Sequence, residues 1–300
     1  MSLISASDPL AARIAPPDPS QCSESPSVAP TIIVAGSPWR FIDLVEFWRY
    51  RELLFFLVWR DVKVRYKQTV LGAAWVVLQP VAITVVFTLF FSRAAGVASS
   101  PVAYPLFALS GLLPWYFFSN AVSSAGQSLV ANQSLVTKVY FPRIMVPMGA
   151  AAAGLVDFGI SLSVLVVMMA YFGVVPGWGL LALPFVTLLL VLAAMGIGTL
   201  LAALTATYRD FRHLVPFMIQ LWMFATPAIY LPKTDGAMQR WSWWLPLNPV
   251  QGLVLNFRAA ALGLDFDYYA LAVSGTVAIL MALVGGIYFR RVERSFADII

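Results

Sequence analysis

The chain has 300 residues, 60% of them hydrophobic and only 11% charged, with a mean hydropathy of +0.82. Soluble domains carry about 25% charged residues, so this chain cannot cover a globule in water and reads as an all-α integral membrane protein. The net charge of +5 marks no nucleic-acid partner, since no basic patch interleaved with aromatics sits on a soluble domain; a single Cys (Cys22) and a single His (His213) exclude a disulfide framework and argue against a metal site.

Residues 1–38 hold seven Pro and eight Ser without hydrophobic periodicity, and are expected to be a disordered cytoplasmic tail carrying Cys22 as a free thiol. No basic start precedes an apolar core, so no signal peptide is expected. Residues 39–70 alternate apolar and charged positions at helical spacing. Arg49, Glu52, Arg60, Lys63 and Lys67 fall on one face, and Arg65 falls on the opposite side, where it suggests that the helix bends or ends before Lys67. The apolar stretch Leu53–Trp59 is too short to cross a hydrocarbon layer that takes about 20 residues. The segment therefore reads as an amphipathic interface helix in the headgroup layer, or as a soluble helix packed on a partner.

Six spans follow in a membrane domain over 71–289, at about 71–92, 104–125, 144–172, 179–206, 212–231 and 268–289; residues 290–300 form a short tail. With the first residues inside, inner segments hold 15 of the 19 Lys and Arg and outer segments hold 4, including Arg258. That bias places both termini in the cytoplasm. Prolines at 80, 114, 147, 184, 216 and 227 lie in or beside spans, where each removes a backbone donor. The small-residue rows Gly149–Gly154 and Ala194, Gly198, Ala202 are expected to let helices approach closely. Residues 232–267 are too long for a turn. They contain Trp241, Trp243 and Trp244, then NPVQGLVLNFRAAALGL, a helical stretch too short to span that suggests a re-entrant or interfacial outer element.

Catalytic signatures are scarce. No G-x-x-x-x-G-K-[ST] occurs, so an ATP-driven process would place its nucleotide on another chain; nor is there a G-x-S-x-G or H-E-x-x-H motif. Asp265-Phe-Asp267 has the form of a metal-dependent glycosyltransferase pair, but beside an outer span end it reads better as a solvated helix start. Asp157 is the only acid well inside a span; it is either functional or a structural carboxyl, satisfied by Ser161 one turn on or by other spans.

Three stretches, WRDVKVRYKQTVLGAAWVVLQP, NQSLVTKVYFPRIMVP and TYRDFRHLVPFMIQLWMFATPAIY, resemble the membrane subunit of type-2 ABC exporters of lipid-linked polysaccharide, the Wzm-like O-antigen group above all. The resemblance runs from about Trp39 to Phe289. It implies a homodimer bound to two ABC ATPase subunits, with ATP and Mg on those partners and no cofactor on this chain, exporting undecaprenyl-diphosphate-linked glycan across the bacterial inner membrane. It further implies ATPase-coupling contacts at Leu135, Lys138, Tyr140, Phe141 and Arg143, and at Tyr208, Arg209, Asp210 and Arg212; ordinary positive-inside loops are the plainer reading of both. Arg60, Arg65 and Lys67, with the join at Leu71 and Gly72, are placed to hold a lipid diphosphate, or else to attract anionic membrane lipids. An aromatic-lined channel formed largely by spans one and five is implied, with Trp75, Phe87, Phe90, Trp115, Tyr116, Trp222, Phe224 and Tyr230 as candidates to line it. Capsule or teichoic-acid export in the same superfamily fits the motifs nearly as well. A membrane enzyme acting on lipid-linked sugars, or an ion-coupled transporter, would need more intramembrane charge than Asp157 supplies.

Overall fold

The computed structural model describes residues 48–67, 74–91, 103–139, 141–175, 177–226, 228, 244–293 and 296. The expected tail, Leu71, Gly72, Tyr140, Tyr230, Trp241 and Trp243 lie outside them. Among the described residues the chain is entirely helical: α1 (Arg51–Tyr66), α2 (Ala74–Phe91), α3 (Tyr104–Ala131), α4 (Gln133–Lys138), α5 (Met145–Tyr171), α6 (Leu183–Thr207), α7 (Phe211–Ala225), α8 (Pro249–Leu262) and α9 (Tyr268–Val292). A 3₁₀ turn, Trp178–Ala182, leads into α6.

Among the described residues, three segments are long and apolar enough to cross a membrane: Met145–Tyr171, Trp178–Thr207 and Tyr268–Val292. α3 has the length, but Ser119, Asn120, Ser123, Ser124, Gln127 and Ser128 make its second half polar. The fifth predicted span is shorter than expected. α7 has 15 residues, about 22 Å at 1.5 Å per residue, against a hydrocarbon layer of about 30 Å.

α3, α5, α6 and α9 form the centre, with the most extensive packing between α6 and α9, α3 and α6, and α3 and α5. Lipid is as apolar as leucine, so close van der Waals contact has to hold such helices together. The α6–α9 seam shows how. A Cβ on Gly196 would stand 2.5 Å from Ala282 Cα, and one on Gly285 would collide with the Gly196 carbonyl. The two backbones touch there, and only glycine permits it. α2 and α7 lie more loosely at the periphery, against α3 and its neighbours.

α8 falls in the stretch expected as a re-entrant or interfacial outer element. It is buried along almost its whole length against α9, α3 and α6. Asn248 caps it by accepting from Val250 N at 3.1 Å, and the same side chain accepts from Trp222 Nε1 (2.9 Å) and donates to Thr226 Oγ1 (2.9 Å), clasping the end of α7. Arg258, counted among the outer segments from the sequence, is 2% exposed. Its guanidinium donates to the Ala228 carbonyl and lies 3.7 Å from the Phe107 ring centroid. Asp267 caps α9, accepting from Ala270 N at 2.9 Å, while Asn256 pairs with the Asp267 backbone. Its carboxylate is thus engaged in local structure.

The segment that leads to the first coupling candidates is divided. α3 continues to Ala131, and the short α4 follows Asn132. Val136, Phe141 and Ile144 pack with Ala202, Ala206, Phe289 and Phe296, so the start of α5 and the ends of α3, α6 and α9 meet at one end of the bundle.

Candidate functional site

α1 runs along α5 in parallel register. Leu57 packs on Gly149, where a Cβ would stand 3.2 Å from Leu57 Cβ; eight residues further along both helices, Arg65 pairs with Asp157. Eight residues are about 12 Å of helix, so α1 follows the first half of α5. Asp157 stands 12 residues into α5, about 18 Å from its start. The helix ends at Tyr66, before Lys67, as expected from the placement of Arg65, and Asp157 supplies the counter-charge that a cation needs at that depth. Tyr66 donates its hydroxyl to the other Asp157 oxygen. Ser161, the partner considered from sequence, makes no hydrogen bond to the carboxylate. The outer face of α1 exposes Phe55, Phe56, Trp59 and Val64.

The signal for this pair was present in the sequence. Arg65 stood alone off the polar face and Asp157 stood alone in a span; two orphan charges of opposite sign at apolar positions are natural partners. Their separation of 92 residues hid the match from local patterns.

Beside the pair lies a cavity of about 370 Å³, walled by α1, α2, α3 and α5. Arg65, Tyr66 and Asp157 line it together with Trp75, Gln79, Tyr116, Asn120, Ser124, Phe158 and Ser161. A groove of about 510 Å³ adjoins it nearer the start of α5, lined by Arg60, Asp61, Arg65, Ser124, Gln127 and Asn132 among others. Arg60 is fixed there by Asp61 Oδ1 (2.8 Å) and Asn132 Oδ1 (2.7 Å). Lys67, just beyond α1, is exposed and lines neither.

The expected aromatic lining divides. Trp75 and Tyr116 face the cavity. Phe90 and Phe224 are 72% and 74% exposed on the peripheral helices. Trp115, at 2% exposure, is core, 5.9 Å from Phe118, and presents no face to a path; the aromatic density of α3 did not distinguish it from Tyr116. Trp222 stacks edge-on to Phe118 at 5.3 Å, and Phe87 packs on the Tyr104–Phe107 cluster.

The coupling candidates divide too. Lys138, Tyr208, Arg209, Asp210 and Arg212 are exposed. Leu135 is half-buried and Phe141 is buried in the end cluster, because the chain turns inward after α4. Arg143 is engaged internally: its backbone N donates to Glu293 Oε1 (2.9 Å) and its guanidinium to the Glu293 carbonyl (2.8 Å).

Residues 52–262 match the ABC-2 type transporter family. The chain is similar to an O-antigen export system permease protein of Myxococcus xanthus, 33% identical over 214 residues, covering 71% of this chain and 82% of the relative. A Klebsiella pneumoniae O-antigen export system permease protein is 26% identical over 253 residues, 83% of this chain and 95% of its own length. The polysialic acid transport protein KpsM of Escherichia coli is 25% identical over 234 residues, 75% and 89% of the two chains. With the family spanning α1 through α8 and both walls of the charged cavity, the chain belongs to the ABC-2 type transporters.

Proposed function

We propose that this chain is the membrane-spanning subunit of an ATP-driven exporter that moves an O-antigen-like polysaccharide, linked to undecaprenyl diphosphate, across the bacterial inner membrane. The observation that carries the reading is the alignment with O-antigen export permeases over 71% and 83% of this chain. A second reading, export of a capsule-type polysaccharide, is favoured by the similarity to the polysialic acid transport protein.

In this reading α2, α3, α5, α6, α7 and α9 are the six spans, residues 248–262 re-enter at the outer face, and both termini are cytoplasmic, as the 15-to-4 distribution of Lys and Arg suggests. Two copies assemble with two ABC ATPase subunits, which carry ATP and Mg; this chain performs no covalent chemistry. The ATPase docks on the exposed residues of α4 and on Tyr208–Arg212, and Arg60 and Arg65 receive the lipid diphosphate by charge-assisted hydrogen bonds. The test is purification of the tagged chain from its native membrane in mild detergent, followed by mass spectrometry. A P-loop ATPase recovered in near-equal amount is expected. A permease recovered alone, even after cross-linking, refutes the reading.

A further inference from the structure

The cavity at Asp157 has an unusual inventory for its depth. Polar side chains inside a membrane helix bundle ordinarily find a partner, most simply a backbone carbonyl of the preceding turn. The neighbours of this cavity do so. Ser110, Ser119 and Ser128 of α3 each donate to the carbonyl three residues back, at 2.9, 3.1 and 2.7 Å, and Ser163 of α5 does the same at 2.6 Å. The polar groups lining the cavity do not: among the described residues Gln79, Asn120, Ser124 and Ser161 make no hydrogen bond. Two amides and two hydroxyls from three helices converge unsatisfied on one space, between the aromatic faces of Trp75 and Tyr116.

Charge separates the cavity from the groove beside it. Among the described residues, the acidic and basic side chains lining the cavity are Arg65 and Asp157, which pair with each other. The groove is lined by two guanidiniums, Arg60 and Arg65, each paired with a carboxylate, of which Asp61 lines the groove and Asp157 does not. An anion is favoured in the groove and has no such attraction into the cavity, where Asp157 faces it. A neutral ligand with many hydroxyls and apolar C–H faces fits the cavity: donors and acceptors for its edges, rings for its faces. The volume, about 370 Å³, lies at the small end of the about 300–1,000 Å³ typical of ligand sites, room for a sugar unit or two. Arg65 and Ser124 line both compartments, so the two are contiguous.

We infer that the cavity between α1, α2, α3 and α5 is a carbohydrate-binding pocket that takes the sugar next to the diphosphate of a lipid-linked glycan, while the adjoining Arg60–Arg65 groove takes the diphosphate. The inference rests on the exporter reading and adds to it a recognition site for the reducing-end sugar. The pocket discriminates a loaded carrier lipid from an empty one, which differs from it only beyond the diphosphate.

The test uses the permease in complex with its ATPase in nanodiscs, and two probes: undecaprenyl diphosphate, and undecaprenyl diphosphate bearing a single N-acetylglucosamine. Binding is read directly with radiolabelled lipid, and stimulation of ATP turnover is read alongside. The unmodified complex is expected to bind the sugar-bearing lipid about tenfold more tightly or better. Asn120→Ala and Gln79→Ala remove exposed groups with no partner in the protein, so neither should impair folding. Each is expected to weaken the sugar-bearing lipid by about three- to tenfold, the loss of one or two hydrogen bonds, and to leave the bare lipid unchanged. Equal affinity of the unmodified complex for both lipids, or equal weakening of both by the variants, overturns the pocket while the exporter stands. Absence of binding and of stimulation by either lipid overturns both.

Discussion

If Asp157 is present in order to hold Arg65, the two residues should behave as a unit when altered. Asp157→Asn retains an oxygen for the Tyr66 hydroxyl but removes the charge facing Arg65, leaving a cation beside apolar helices. Breaking a fully buried pair by removing one partner costs about 3–5 kcal/mol. Here the side chains of Arg65 and Asp157 retain 34% and 20% exposure, so water recovers part of that and about 2–3 kcal/mol remains. Arg65→Gln leaves the carboxylate unpaired at a similar cost. The double variant has no orphan charge and should lose less than the two singles together, by a coupling of about 2–3 kcal/mol, as large as one single loss and within the range of a hydrogen bond to a charged group. Thermal unfolding of the purified complex in nanodiscs measures this. At about 2–4 °C per kcal/mol for a chain of this size, each single should lower the midpoint by roughly 4–12 °C, and the double by no more than the worse single. Singles that add to the double within about 0.5 kcal/mol would show that the pair carries no coupling and that α1 is held on α5 by Leu57 and its neighbours alone.

Arg258 gives a contrasting case. Its guanidinium is buried with one carbonyl acceptor and one aromatic face, and its Nε has no partner among the described residues. Desolvation should nearly cancel those contacts, so Arg258→Met, which refills the space, should unfold within about 1 kcal/mol of the unmodified protein. Arg258→Ala leaves a void as well and should cost about 3 kcal/mol or more; equal losses for Met and Ala would mean the polar contacts dominate. Gly196→Ala inserts a Cβ against Ala282 and should cost about 1–3 kcal/mol by overpacking, measured as loss of monodisperse protein on heating. Gly159→Ala, with nothing within 4 Å of the added Cβ, serves as the control and should be neutral or slightly stabilising. Matching losses at both positions would remove the close-approach argument.

The central helices were legible because their apolar runs are long and clearly bounded. The predicted span at 144–172 is α5 at Met145–Tyr171, and 268–289 is α9 at Tyr268–Val292. α7 was less so: its apolar composition continues past Ala225, where the helix ends at Thr226, and hydropathy registers composition but not geometry. The cavity was legible in parts. Arg65, Asp157, Trp75 and Tyr116 were each singled out, but for four separate reasons, and only the parallel register of α1 on α5 assembles them. Gln79, Asn120 and Ser124 gave no signal at all, since an isolated amide or hydroxyl in an apolar run is ordinary until its missing hydrogen bond can be seen. Asn248 and Arg258 were missed because their partners Trp222, Thr226, Ala228 and Phe107 lie 22 to 151 positions away in sequence, beyond any periodicity.

Where two backbones touch, as α6 and α9 do at Gly196 and Gly285, there are no long side chains at the contact to change rotamer and let one helix slide past the other. Sliding by even a fraction of a turn would drive a carbonyl into a Cα. The pair is therefore a keel: it rotates or shifts only as one body, and it fixes the frame against which other parts are displaced. Adjustable joints belong instead to α2 and α7, whose contacts with the rest are light and made through side chains. A mechanism that needs motion finds its moving parts at the rim of this bundle and its fixed reference at the centre.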